Sequence, residues 1–315
     1  MPASPGPIPL PGILRRRLDA AATAFLRPAG ESWPEFSTPA GAPALIGPDS
    51  ISWRVFKNPV ALAVGGIAAV ILELAEPRVR AGVWEHTGFR ADPLRRLRRT
   101  GMAAMVTVYA PRSAAEAMIG AVNRAHASIS GQTEDGAPYR ADDPELLDWV
   151  QATASFGFME AYARLVRPLS PGERDAFLAE AAPAARLYGA QGAPASEREL
   201  EAMFSRWRPR LRPSATIHEF LAIMRRAPLL PRPLRPFQGV LTRAAIALLP
   251  AWAPPLLELE QSPRPGEEWL LRAAARMADR AVLEGSPAVQ ACRRLGLPLD
   301  HLQRRWPEPE PAPRL

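Results

Sequence analysis

A recurrent pair of residues, a polar capping residue followed by proline, constrains the fold of this chain more than any other feature. It occurs as Asn58-Pro59, Asp92-Pro93, Asp143-Pro144 and Ser170-Pro171, and Glu173 completes a capping box at the last of these. The polar side chain can accept hydrogen bonds from the first free amides of a helix, and proline has the backbone angle that the first helical position needs. The pairs predict helices that start at 58, 92, 143 and 170 and end near Ala75, Tyr109, Val166 and Leu187.

Helical periodicity predicts most of the remaining chain. Pro77 should open a short helix to about His86, and further helices are expected over residues 114–130, 197–207, 216–226, 237–249 and 267–283. No run of alternating β-branched residues bounded by turns occurs. We therefore predict an all-α protein with one large multi-helix domain. We expect it to comprise a proline-rich N-terminal segment, 1–45, with one helix near 13–26, a main helical domain, 46–290, and a C-terminal extension, 291–315, with a proline-rich tail.

Composition limits the possible partners and compartments. The net charge is +7, but the basic residues, almost all arginine, are spread along the chain without an aromatic-interleaved stripe, so we expect no nucleic-acid partner. Cys292 is the single cysteine, which excludes an intrachain disulfide and a multi-cysteine metal site. The longest apolar run, residues 60–72, is shorter than the ~20 residues that span a bilayer. We expect a cytoplasmic protein without a transmembrane segment; peripheral membrane contact and the oligomeric state stay open.

His126 is the strongest candidate site residue from spacing alone. It continues an apolar helical stripe four residues after Val122 and three before Ile129, so it should face the interior. A buried neutral imidazole can ligate haem iron or another metal. The alternative is a core histidine that is hydrogen-bonded to a backbone carbonyl.

Other polar residues on these helices also have two interpretations. Arg96 and Thr100, four residues apart, share a helix face and could reach a propionate, a substrate oxygen or dioxygen, or they belong to a solvated basic face. Gln151 lies on an inward stripe, where a structural hydrogen bond is favoured over ligand contact. Glu73 ends an apolar segment and either pairs with an arginine of residues 95–99 or belongs to a site. The Gly65-Gly66 pair predicts a close approach by a neighbouring helix or a flat cofactor.

Several blocks of the sequence, in order, resemble one known family. They are ALAVGGIAAVILELAEPRVRAGVWEHTGFRADPLRRLRRT, HASISG, YRADDPELLDWVQAT and AYARLVRPLSPGER, within residues 55–250. This order resembles the MpaB/rubber-oxygenase family, whose members are all-helical and include latex-clearing proteins, b-type haem dioxygenases that cleave carbon–carbon double bonds in polyisoprene. The resemblance implies a haem b oxygenase that acts with dioxygen on a small apolar, isoprenoid or lipid-like substrate. No GxSxG, HExxH, Walker or dinucleotide motif supports another enzyme class.

The resemblance also implies roles for individual residues. His126 matches the proximal haem ligand, and Arg96 with Thr100 matches an arginine–threonine pair that lines the distal pocket. Arg99 falls where rubber oxygenases have a lysine near the iron, and Glu85 corresponds to a catalytic carboxylate. These correspondences make Arg96, Thr100 and Glu85 the catalytic candidates.

Two departures from the family pattern suggest an alternative function. Many relatives have histidine where this chain has Glu76, before Pro77, and also where it has Gln151. Gln151 is, with His126 and Arg99, a candidate cofactor contact. A chain that has lost the redox chemistry would be a non-catalytic helical protein that binds lipid or haem.

Overall fold

The computed structural model describes residues 6–8, 12, 35–86, 88–89, 91–228, 235 and 237–304. In this part of the chain, thirteen α-helices and one short antiparallel hairpin follow one another. In chain order they are α1 (Ile51–Phe56), α2 (Pro59–Ala75), α3 (Pro77–His86), α4 (Pro93–Tyr109), α5 (Arg112–Ala127), β1 (Ser130–Gln132), β2 (Pro138–Arg140), α6 (Pro144–Leu165), α7 (Pro171–Tyr188), α8 (Glu197–Trp207), α9 (Ala215–Arg226), α10 (Gln238–Leu248), α11 (Ala253–Leu256), α12 (Glu267–Arg280) and α13 (Pro287–Arg294).

The predicted helix starts and the all-α class are confirmed. The side chains of Asn58, Asp92, Asp143 and Ser170 each accept a hydrogen bond from an amide of the first helical turn, with proline at the start of the helix. The capping box of Ser170 and Glu173 is present in both directions. Local hydrogen-bonding chemistry thus decides where these helices begin, as the sequence indicated.

The remaining differences from the prediction concern helix ends and short elements. The helix predicted over 114–130 ends at Ala127, so that Ser130 lies in β1, and the one predicted over 267–283 ends at Arg280. Periodicity did not predict α1, α11 or α13, which have six, four and eight residues and therefore too few turns to show a repeat. It also missed the β1–β2 hairpin, whose three-residue strands lack the alternating pattern. The predicted helix near 13–26 and the proline-rich tail at 306–315 lie outside the described residues.

Helices α2 and α6 form the central antiparallel pair and explain why Gly65 lacks a side chain. A Cβ atom added to Gly65 would lie 2.4 Å from the carbonyl oxygen of Gly157, so the two backbones touch. Further along the pair, Trp149 Nε1 donates to the carbonyl oxygen of Leu72 at 3.3 Å. The glycine pair predicted a close approach by either a neighbouring helix or a flat cofactor, and for Gly65 the neighbouring helix is the correct prediction.

The apolar interior is divided into two clusters. The larger surrounds α2 and α6 and includes residues of α3 and of α7–α10 and α12. The smaller joins Phe36, Leu45 and Ile46 to residues of α1, α4, α5 and α13, among them Cys292. The buried Arg294 side chain stabilises this second cluster, because it donates to the carbonyl oxygens of Tyr109 and Ala42 at 2.8 and 2.9 Å. Helices α4 and α5 pack mainly against each other and against α1, α7 and α13.

Among the described residues, no single helix has the length and apolar character needed to cross a bilayer. Only α2 and α3 taken together would satisfy that criterion, and they are bent by 109° where they meet.

Candidate functional site

An accessible stripe on α2 belongs to the candidate site, and we call the region between this stripe and helices α4 and α5 the cleft. From residue 64 to residue 75, only Gly66, Val70 and Glu73 are not buried, and every other residue of that stretch is. These three positions follow a spacing of four and three, so they lie on one face of the helix. This face of an otherwise enclosed helix is therefore partly accessible to solvent.

Helix α6 presents a matching stripe to the same space. Its residues Leu147, Gln151, Ala154 and Phe158 are partly accessible, whereas the residues between them, apart from Val150, are buried. The two faces adjoin, because a Cβ atom on Gly66 would lie 3.7 Å from Phe158 Cε1. Together the stripes form a floor that is apolar except at Glu73 and Gln151, on the side of the central pair that faces α4 and α5.

Glu73 is the most strongly perturbed carboxyl group of this cleft. Although part of the Glu73 surface is accessible, its carboxyl group is surrounded by protein, and this desolvation raises its pKa from 4.5 to about 7. The Arg96 guanidinium and the Thr153 hydroxyl partly oppose that increase. Thr153 is itself fully buried, and its hydroxyl donates to the carbonyl oxygens of Trp149 and Val150 at 3.1 and 3.0 Å. A carboxyl group with this pKa can accept or release a proton near neutral pH.

Arg96 enters the cleft from α4. Burial lowers its pKa, Glu73 raises it and Arg99 lowers it again. Arg99 and Thr100 are both exposed, and the Thr100 hydroxyl donates to the carbonyl oxygen of Arg96 at 3.0 Å. The structure thus brings Arg96 together with Glu73, while Arg99 and Thr100 lie at the exposed rim beside it.

His126 approaches the same region from the last turn of α5. Burial and the nearby Arg96 lower its pKa, and Asp142 partly compensates. Its Nδ1 atom is buried and has no hydrogen-bond partner among the described residues. The lowered pKa favours the neutral imidazole, and its buried Nδ1 carries a lone pair or an N–H group to which no described residue is hydrogen-bonded.

Two other predicted residues have local hydrogen bonds. Gln151 Nε2 donates to Ser155 Oγ one turn later at 3.1 Å, which is the structural bond that the sequence favoured. Glu76 lies at a position that is often histidine in relatives, and it is 2% exposed. It caps α3, because its Oε2 accepts a hydrogen bond from the Val79 amide at 2.8 Å and its Oε1 accepts one from Arg78 Nε at 2.9 Å. The departure at Glu76 therefore has a structural explanation.

Glu85 lies in a different environment. It is exposed near the end of α3, where its Oε2 accepts from the Tyr139 hydroxyl at 3.3 Å, and that hydroxyl is 2.9 Å from His86 Nε2. The carboxyl group whose pKa responds to Arg96 is Glu73. The sequence showed only that Glu73 lies at the end of an apolar helix. That position alone did not distinguish a glutamate paired with an arginine from a glutamate in a functional site.

The donor set fits a haem better than a metal ion held by protein ligands alone. Within the described ranges, no group of three or more His, Cys, Asp or Glu residues could hold a metal ion. A haem iron needs only one or two protein ligands because the porphyrin supplies the rest, and a neutral histidine is a common axial ligand. The unsatisfied His126 nitrogen, the adjacent Arg96 and the apolar floor formed by α2 and α6 suit a flat, largely apolar, anionic group.

Comparison with known proteins identifies the family. A sequence model described as "ER-bound oxygenase mpaB/B′/Rubber oxygenase, catalytic domain" matches residues 53–280. No curated protein and no solved structure matches the chain. The matched residues run from α1 to the end of α12 and contain Glu73, Arg96 and His126. The chain therefore belongs to the mpaB/rubber-oxygenase family of catalytic domains.

Proposed function

We propose that this protein is a haem b-dependent oxygenase that cleaves a carbon–carbon double bond of a small apolar, isoprenoid or lipid-like substrate with dioxygen. The observation that carries the proposal is the neutral, partly buried His126, whose Nδ1 has no hydrogen-bond partner among the described residues. The chain that contains it belongs to a family of oxygenase catalytic domains. His126 would hold the iron, and the haem would supply the redox chemistry with dioxygen.

The charged groups of the cleft would bind and transfer protons. Arg96 can pair with a propionate or stabilise negative charge that develops on an oxygen atom. Glu73, with a pKa of about 7, can exchange a proton at a carboxyl oxygen near neutral pH. Glu73 would thus fill the role of the carboxylate for which the resemblance suggested Glu85, while Arg99 and Thr100 would act from the rim.

The floor of the cleft supports an apolar ligand. Gly66, Val70, Ala154 and Phe158 offer a surface without hydrogen-bonding side chains. A bound apolar ligand on this surface would exclude water from the space next to Glu73. An apolar substrate that covers this surface gains the free energy of removing it from water, and only the charged end of the cleft remains to orient it.

Reconstitution with haem tests the proposal directly. We expect the purified protein with added haem to show a Soret band, and His126→Ala to retain little haem while its circular dichroism stays helical. His86→Ala is the matched control, because His86 contacts Tyr139 instead and should leave haem binding unchanged. Arg96→Ala should keep the haem and reduce oxygen consumption with substrate.

The outcomes separate the alternatives. A wild-type protein without a Soret band after reconstitution would refute haem dependence. Full haem occupancy in His126→Ala would refute the assignment of the ligand. If native mass spectrometry instead finds bound lipid and no haem, the chain is the non-catalytic binding protein that the departures from the family pattern suggested.

A further inference from the structure

Helix α12 carries an apolar face that no other described part of the protein covers. Of the five large hydrophobic residues that are exposed in the described chain, three belong to this helix: Trp269 at 74%, Leu270 at 39% and Met277 at 62%. Trp269, Ala273 and Met277 are all exposed and follow one another at intervals of four residues, so they form one stripe. Such concentrations of exposed apolar area commonly mark contact surfaces.

The opposite side of α12 fixes this orientation. Leu271 and Ala275 are buried against the larger cluster, and Asn58 Nδ2 donates to the Ala275 carbonyl oxygen at 2.9 Å. Near the other end, Lys57 Nζ lies 2.8 Å from Asp279 Oδ2. The stripe therefore cannot turn inward without breaking these buried contacts.

Charges around the stripe have an excess of positive sign. The acidic residues of α12 are paired with bases from outside this helix, as Glu267 is with Arg243, Glu268 with Arg164 and Asp279 with Lys57.

Two of the three arginines of α12, Arg276 and Arg280, have no carboxylate partner among the described residues and thus remain as surplus positive charge beside the apolar stripe. Arg276 is exposed, and its Nε donates to the Val166 carbonyl oxygen; Arg280 Nε donates to the Gly6 carbonyl oxygen. These hydrogen bonds to neutral carbonyls do not cancel the charge. Arg272 shares Glu268 with Arg164.

We propose that the outer face of α12 binds the surface of an anionic lipid bilayer. A helix with tryptophan and methionine on one face and arginines beside them is suited to the headgroup region, where the apolar side chains enter the lipid and the cations pair with phosphates. A second copy of the chain is a poorer partner, because a symmetric contact would bring the arginines of the two copies together. This inference does not depend on the haem proposal.

Vesicle sedimentation of the full-length protein tests the surface. We expect binding to vesicles that contain phosphatidylglycerol, weaker binding to pure phosphatidylcholine, and a loss with added salt. Trp269→Ser with Met277→Ser should weaken binding at least about tenfold, since each large side chain removed from lipid forfeits that order of affinity. Arg276→Glu should weaken binding to the anionic vesicles specifically. Leu187→Ser removes an exposed leucine elsewhere, at 38%, and should change nothing.

Three results would overturn the proposal. The first is equal binding by the wild type and the double variant, or no binding by either. The second is a dimer in light scattering that the double variant abolishes. The third is equal acrylamide quenching of tryptophan fluorescence in the wild type and in Trp269→Phe, both without vesicles. This result would show that Trp269 is already covered by the protein's own chain. Circular dichroism of each variant confirms that it is folded.

Discussion

Replacing Glu73 with glutamine should remove a defined part of the pH dependence of stability. Burial raises the pKa of Glu73 from 4.5 to about 7, so folding favours its protonated form. A carboxyl group whose pKa is raised on folding contributes stability that is fully present below the unfolded pKa. That contribution is lost as the pH rises from 4.5 through about 7, and it stays lost above that range.

The size of the effect follows from the two pKa values. One pKa unit corresponds to about 1.36 kcal/mol, so the whole shift corresponds to about 3 kcal/mol. Integrating the linkage relation between about pH 5.5 and about pH 8.5 assigns about 2 kcal/mol of lost unfolding free energy to Glu73. Glutamine is similar in shape and cannot ionise, so the variant should not show this loss.

The assay is urea unfolding followed by circular dichroism at the two pH values. The informative quantity is the change in unfolding free energy between them in the wild type, minus the same change in Glu73→Gln. Other groups cancel in this difference. Among them is His126, whose lowered pKa works in the opposite direction and costs stability as the pH falls below 6.5. Glu85→Gln, at an exposed glutamate of α3, is the matched control and should behave as the wild type.

Arg96→Leu provides a second check on the same reasoning. Because Arg96 lowers the pKa of Glu73, its removal should raise that pKa further and extend the loss of stability to higher pH. Parallel pH dependence in the wild type and Glu73→Gln, within about 0.5 kcal/mol, would refute the assignment of a desolvated, proton-exchanging carboxyl group.

Two further predictions concern the packing of the fold. Gly65→Ala should destabilise the protein by about 3 kcal/mol, because the added Cβ would meet the Gly157 carbonyl oxygen at 2.4 Å. Gly66→Ala makes only ordinary contacts and should be neutral or stabilising by about 0.5–1 kcal/mol. Equal melting temperatures for the two variants would contradict this explanation. Lys57→Ala should cost about 3 kcal/mol by leaving Asp279 without its cation, and urea unfolding should show that Lys57→Met combined with Asp279→Leu recovers most of this loss if the ion pair is responsible.

The sequence predicted the fold to the extent that local chemistry decides it. The caps at Asn58, Asp92, Asp143 and Ser170 act within one turn of the chain, so they could be read without knowledge of the tertiary structure. The pair of glycines in α2 predicted a close approach but not its partner, since that partner, Gly157, is distant in sequence.

The site was predictable only in part for the same reason. Helical spacing and the resemblance made His126 and Arg96 candidates, because both lie within regular helices whose faces can be predicted from the sequence. The choice between Glu73 and Glu85 depends on how α2, α3 and α4 cross, and periodicity within one helix contains no information about crossing. Glu85 remains a prediction, and the structure adds Glu73 as the carboxyl group beside Arg96.

Arg96 couples binding in the cleft to protonation. Its charge lowers the pKa of both Glu73 and His126, so it is the common influence on two groups that come from different helices. An anionic ligand that pairs with Arg96 would offset this charge and raise both pKa values, which means that binding should take up protons. By reciprocity, affinity for such a ligand should decrease as the pH rises through the range in which Glu73 ionises. Because Glu73 lies on α2 while Arg96 and His126 lie on α4 and α5, this coupling acts across the cleft between the central pair and those two helices.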